Sequence, residues 1–205
     1  MTEENPAEEK SKQKATTYFL VVALIVIIII LGYILFGVKP KPPAPNTVEY
    51  SYFTFTEVGG LWQTEVQLAH TVYQAIFRFN PKQVEDVYVT GKLGNLSRQI
   101  YITFDPVQQK EDYKYLALAG SELSLHLVRA LEKNVTAACT SNETDACIDR
   151  TIVKCGDQGK SVIYLNPYPP TQITLNGTCV TLQGEKMELL KSVDRLLFQW
   201  YKIMR

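Results

Sequence analysis

Residues 48–68 read VEYSYFTFTEVGGLWQTEVQL, and the fold class of the chain turns on this stretch. Aromatic and β-branched residues alternate with polar ones on both sides of Gly59-Gly60. Successive side chains of a strand point to opposite faces, so a period of two predicts two strands, each with one face to bury. Two adjacent glycines readily adopt the positive φ angles of a two-residue hairpin turn. The expectation is an antiparallel hairpin. Tyr50, Tyr52, Phe53 and Phe55 put aromatic rings on both faces of its first strand. A face left uncovered there would be a contact surface for a partner.

Toward the C-terminus the alternation continues over residues 72–79 and stops at Asn80-Pro81. Asn is a good helix N-cap and Pro suits the first helical position, so a short helical turn over 81–86 is expected, then a strand over 87–90. Residues 99–104 are strand-like again and end at Asp105-Pro106, which repeats the capping chemistry. Leu116, Gly120, Leu123, Leu127 and Leu131 recur at helical spacing and predict a helix over residues 111–133; a strand over 113–119 with a helix from Ser121 is the alternative. Residues 148–155 and 161–165 read as strands around Gly156 and Gly159, and residues 166–170 (NPYPP) as a loop. Asn176-Gly177 is a strong hairpin signal between strands 172–175 and 178–182. Residues 185–204 carry an apolar stripe that includes Leu189, Val193, Leu197 and Trp200, the pattern of an amphipathic helix. The sum is an α+β domain in which two helices cover a mostly antiparallel sheet of about seven to nine strands.

Toward the N-terminus the composition changes twice. Residues 38–46 are proline-rich and predict an extended, semi-rigid stalk. Before them residues 18–37, YFLVVALIVIIIILGYILFG, form an uncharged apolar run of twenty residues. A helix rises about 1.5 Å per residue, so the run would span roughly 30 Å, the thickness of a bilayer's hydrocarbon core. Cleaved signals have shorter apolar cores and small residues at the cut, whereas prolines follow here. The expectation is one uncleaved transmembrane anchor, a short polar tail over residues 1–17, and a domain over residues 47–205.

Four Asn-x-Ser/Thr sequons, at Asn95, Asn134, Asn142 and Asn176, all lie C-terminal to the apolar run. With eight Asn and 26 Ser plus Thr in 205 residues, about one would arise by chance. The four cysteines, Cys139, Cys147, Cys155 and Cys179, lie there too. Both features suit an oxidising, translocated compartment, so the N-terminus is expected in the cytoplasm and the domain outside it. The cysteine gaps are too wide for a zinc site and there is no Cys-x-x-Cys, which leaves structural disulfides. Cys139–Cys147 with Cys155–Cys179 is the favoured pairing; Cys147–Cys155 with Cys139–Cys179 is the alternative.

The chain offers little chemistry. His126 follows Glu122 by four residues, a spacing at which two side chains on a helix touch, more often as a surface contact than as an acid/base couple. His70 has no evident partner. Asp86, Asp105, Glu111 and Asp112 are the candidates for a carboxylate pair. There is no nucleophile elbow, no His-Glu-x-x-His and no phosphate-binding loop, and no cofactor motif is read. A formal net charge of zero gives no basic surface for nucleic acid. The reading is a membrane-anchored surface module that binds or scaffolds a protein partner. A tethered hydrolase or a pilin-like filament subunit are the alternatives; Pro40, Pro42, Pro43 and Pro45 argue against the long continuous helix of a pilin.

Overall fold

A computed structural model describes residues 18–32, 46–68, 71–107 and 113–205. The chain divides into two compact units, Met1–Ala44 and Pro45–Arg205. In the first, residues 18–32 form helix α1. Residues 33–37 of the expected span, together with the expected tail and most of the stalk, lie outside the described residues. Among the described residues no helix is long and apolar enough to cross a membrane.

The second unit holds two sheets and two helices. Sheet A is a four-stranded antiparallel meander of β1 (Thr47–Tyr50), β2 (Phe53–Val58), β3 (Leu61–Leu68) and β4 (Thr71–Phe77). The expected hairpin is present, with Val58 opposite Leu61 across Gly59-Gly60. A turn at Ser51 and Tyr52 cuts its first strand in two, with Ser51 at φ 54°, so β1 folds back on β2 with Tyr50 opposite Phe53. That turn decides the fate of the aromatics. Phe55 is fully buried and Tyr50 and Phe53 pack on the core, while Tyr52 is fully exposed.

The chain then turns through a short 3-10 segment, Pro81–Val84, capped as expected: Asn80 accepts from the Gln83 N–H at 3.2 Å, and the Asn80 N–H donates to Gln83 Oε1 at 2.9 Å. Sheet B follows, with β5 (Tyr88–Leu93), β6 (Gln99–Phe104), α2 (Tyr113–Arg129), β7 (Asn134–Cys139), β8 (Thr151–Ile152), β9 (Ser161–Asn166), β10 (Gln172–Gly177), β11 (Cys179–Gln183) and α3 (Met187–Trp200). The strand order is β5-β10-β11-β9-β6-β7-β8. Only β10 and β11 pair antiparallel; the other five pairings are parallel. This corrects the expectation of one mostly antiparallel sheet, which holds for sheet A alone. The cause is α2, which carries the chain from the end of β6 back to the start of β7 and so forces the two strands parallel. Strand β5 stays close to β10 through Gly91, at φ 83°, where any Cβ would strike the Leu175 carbonyl.

Helix α3 lies between the sheets. Every residue from Ser192 to Phe198 is buried, so the helix has no solvent face in that stretch. Phe198 meets Phe55 and Phe77 of sheet A at ring distances of 5.6 and 4.5 Å, and α3 packs on β10 and β11 of sheet B. The sequence marks Ser192, Asp194 and Arg195 as the polar side of an amphipathic helix. Each has a backbone partner: Ser192 donates to the Gln183 carbonyl at 2.6 Å, and Arg195 Nη2 to that of Arg205 at 2.5 Å, while Arg195 Nε and Nη1 are buried with no hydrogen-bond partner among the described residues. Asp194 accepts from the N–H groups of Arg78 and Phe79 at 3.0 and 2.8 Å. Among the described residues, α2 and α3 pack on the same face of sheet B, the face that carries Ile102, Ile163, Ile173 and Leu182. Across its other face runs the register Thr90, Thr174, Thr181, Tyr164 and Thr103.

Candidate functional site

The four residues Ala117, Gly120, Ser121 and Ser124 are small and recur at i, i+3, i+4 and i+7, so they form one stripe along α2. The stripe faces Ile102 and Phe104 of β6, Ala137 of β7 and Leu165 of β9, and between them lies a cavity of about 490 Å³. Ala117, Ser121, Ala137, Ala146 and Arg150 on its lining are exposed, so the space opens to solvent. The backbone does not demand it: a Cβ on Gly120 would lie 3.8 Å from Leu165 Cδ1, an ordinary contact.

The walls are apolar. Ser121 donates to the Leu118 carbonyl at 2.9 Å and Ser124 to that of Gly120 at 2.6 Å, so both hydroxyls are engaged within the helix. Tyr113 donates its hydroxyl to the Pro106 carbonyl and sets its ring 6.2 Å from Phe104, edge to face. Arg150 supplies the charge. Its guanidinium lies 5.7 Å from the centre of the Phe104 ring, and among the described residues it makes no ion pair. The cavity sits toward the carboxyl ends of β6, β7 and β9, the place where open α/β sheets bind ligands.

A second polar centre lies apart from this cavity. His126 is buried, with Nδ1 2.7 Å from the Tyr201 hydroxyl and Nε2 2.9 Å from the Ile76 carbonyl. A carbonyl only accepts, so Nε2 carries the proton and Nδ1 accepts from Tyr201. Burial holds the imidazole below its ordinary pKa and pushes the Tyr201 phenol up. Glu122 does not touch His126 in the hydrogen-bonded sense the spacing suggests. It pairs with Arg78, Nε to Oε1 at 2.6 Å, because β4 ends beside α2 there. Burial still raises the Glu122 pKa, against the lowering effect of Arg78. Asp194 is raised well above the carboxylate range by complete burial, a larger effect than the two N–H donors that oppose it.

The carboxylates named from sequence do not form a pair in the described residues. Asp86 precedes β5 and Asp105 follows β6, and four inter-strand steps of about 4.8 Å separate those strands. Glu111, Asp112 and His70 lie outside the described residues. No group of three metal-binding side chains occurs among the described residues. The structure carries two disulfides, Cys139–Cys147 and Cys155–Cys179, with Cα atoms 6.0 and 5.4 Å apart. Asn95, Asn134, Asn142 and Asn176 are all exposed. Arg150 and the small-residue stripe escape a reading keyed to apolar repeats, although the spacing of Ala117, Gly120, Ser121 and Ser124 is a visible signal. Comparison with protein-family models, with curated proteins and with solved structures finds no match to the chain.

Proposed function

We propose that this chain is a single-pass, membrane-anchored surface protein whose folded domain acts outside the cytoplasm as a binding or scaffolding module. Residues 1–17 are then a cytoplasmic tail, residues 18–37 the transmembrane helix, residues 38–46 the stalk and residues 47–205 the extracytoplasmic domain. The twenty-residue apolar run, the paired cysteines and the exposure of all four sequon asparagines support this placement. The observation that carries binding is the cavity under α2. Its described walls hold apolar groups and one arginine, and neither a carboxylate nor a histidine. Such walls recognise a ligand by shape and charge. The occupant is an apolar group of a protein partner with an acidic group beside it for Arg150.

Two measurements test this. Protease added outside sealed cells should digest residues 47–205 and spare the tail; a C-terminus shielded in the cytoplasm overturns the orientation. For the site, the full-length protein is crosslinked in native membranes and purified with its partner. Ala137→Leu combined with Ser121→Leu fills the cavity and should abolish the crosslink, whereas Thr174→Ala on the outer face of sheet B should retain it. A crosslink that survives the filled cavity removes the cavity as the binding site.

A further inference from the structure

Strand directions sort the sequons by position. Asn95 follows β5, Asn134 opens β7 and Asn176 lies near the end of β10, which brings all three to one end of sheet B. Asn142 lies at the other end, inside the loop closed by Cys139–Cys147. Among the three, Asn95 differs in its surroundings. It lines a groove of about 430 Å³ whose walls include Leu96, Leu127, Leu131 and Trp200. Asn134, Asn142 and Asn176 do not line this groove.

The loop that carries Asn95 is tied down on both sides. The Gly94 N–H donates to the Gly177 carbonyl at 2.7 Å, and the Ser97 N–H donates to Ser161 Oγ at 2.8 Å. Lys133 Nζ reaches the carbonyls of Leu96 and Ser97 at 3.4 and 3.2 Å. A substituent on Asn95 therefore starts from a fixed point on the rim of a groove of mixed polar and apolar walls that has an indole beside Leu127 and Leu131. Sugar rings present C–H faces that pack well on aromatic rings, while their hydroxyls remain in water.

We propose that an N-linked glycan on Asn95 lies back along this groove, its first sugars packed on Trp200 and Leu131. The occupant is covalently continuous with the groove, so it needs no second molecule. Attachment joins Asn95 Nδ2 to the anomeric carbon of a polyprenyl-pyrophosphate-linked oligosaccharide. The bond from that carbon to the pyrophosphate breaks, the lipid pyrophosphate leaves, and the amide gives up one proton. The inference rests on the export of the domain proposed above and adds a structural role for one modification among four.

The test uses the full-length protein from native membranes. Glycopeptide mass spectrometry reads occupancy at each sequon, and melting curves compare Asn95→Gln with Asn134→Gln, Asn142→Gln and Asn176→Gln. Asn95 should be occupied. Its loss should lower the melting temperature by about 2–5 °C, against changes of about 1 °C or less for the others. The same Asn95→Gln change made in protein from a host without glycosylation should shift nothing, which separates the sugar from the side chain. An unmodified Asn95 in native protein overturns the inference; sugar on Asn134, Asn142 or Asn176 then still supports export, and only four empty sequons count against it. An occupied Asn95 whose loss matters no more than that of the other three overturns the inference and leaves the export reading intact.

Discussion

Sheet A and sheet B are built from strands of similar length and alternation, yet the chain assembles them by opposite rules. In sheet A each strand pairs with its neighbour in sequence, through β1-β2-β3-β4. In sheet B three of the six pairings, β5 with β10, β11 with β9 and β6 with β9, join strands that are not neighbours in sequence, and β9 meets β6 across more than fifty residues of chain. Local pairing closes short loops, and distant pairing closes long ones at a larger entropic cost. Sheet B accordingly contains both disulfides and the α2 crossover. Sheet A carries neither, and depends on α3 to cover its aromatic face, with the Ile76 carbonyl tied to His126 and the Arg78 and Phe79 N–H groups tied to Asp194.

If that contrast is right, damage should fall on the two sheets unequally, except at the element they share. Leu197→Asp strikes that element. Leu197 is fully buried in α3 between the sheets, and an unpaired charge there should cost about 4 kcal/mol or more. Loss of export and of any cooperative melting transition is expected; a normal melting curve would show that the sheets do not share a core. Cysteine removal comes next. Cys155→Ser with Cys179→Ser opens a loop with a sequence separation of 24 and should cost about 3.4 kcal/mol; Cys139→Ser with Cys147→Ser, at a separation of 8, about 2.5 kcal/mol. Hydrogen exchange should then rise in sheet B before sheet A, and equal loss in both would erase the distinction.

Asp194 probes the seam between sheet A and α3. Asp194→Ala strands the N–H groups of Arg78 and Phe79 and should cost about 2–3 kcal/mol. Asp194→Asn keeps an acceptor oxygen without the buried charge and should cost less at neutral pH, as denaturant titration would show. The smallest effect is acid dependence. His126 titrates below its unfolded value, so its contribution to stability is whole above about pH 6.5 and falls as pH drops, because the unfolded chain takes the proton first. Asp194 and Glu122 act with the opposite sign: their pKa values are raised, so the folded state keeps protons that the unfolded chain releases, and stability falls as pH rises from about 4. His126→Gln removes the first effect and keeps the second. Its melting-temperature deficit at pH 7.5 should shrink by about 1–3 °C at pH 5.5. A deficit independent of pH would mean that the ring titrates normally.

The same contrast explains what could be read from residues alone. The hairpin around Gly59-Gly60 was visible because its turn and both partners lie within one short window. Even there the break at Ser51 shows only as a slip in phase, Tyr50 and Tyr52 falling on one parity and Phe53 and Phe55 on the other, which a strand with two covered faces would show as well. In sheet B the partner of each strand is chosen by what lies between strands. Strand β7, NVTAAC, has two alanines and follows a leucine repeat that continues to Leu131, which masks its strand character. Residues 148–155 looked like a full strand but contribute only Thr151–Ile152, because the chain turns through the Cys139–Cys147 loop just before and through Gly156 just after. The cavity escapes a sequence reading for a related reason: it is made from small side chains, and patterns of burial are carried by large ones.

The position of α3 has a consequence in time. Phe55 and Phe77 are made early, and the helix that shields them begins at Met187, more than a hundred residues later. At a synthesis rate of about 5–20 residues per second, the half-finished polypeptide carries a naked aromatic sheet for roughly 5–20 seconds. During that interval it is a target for chaperones and for its own unfinished siblings, so the yield of correctly assembled molecules is governed by how crowded the nascent chains are.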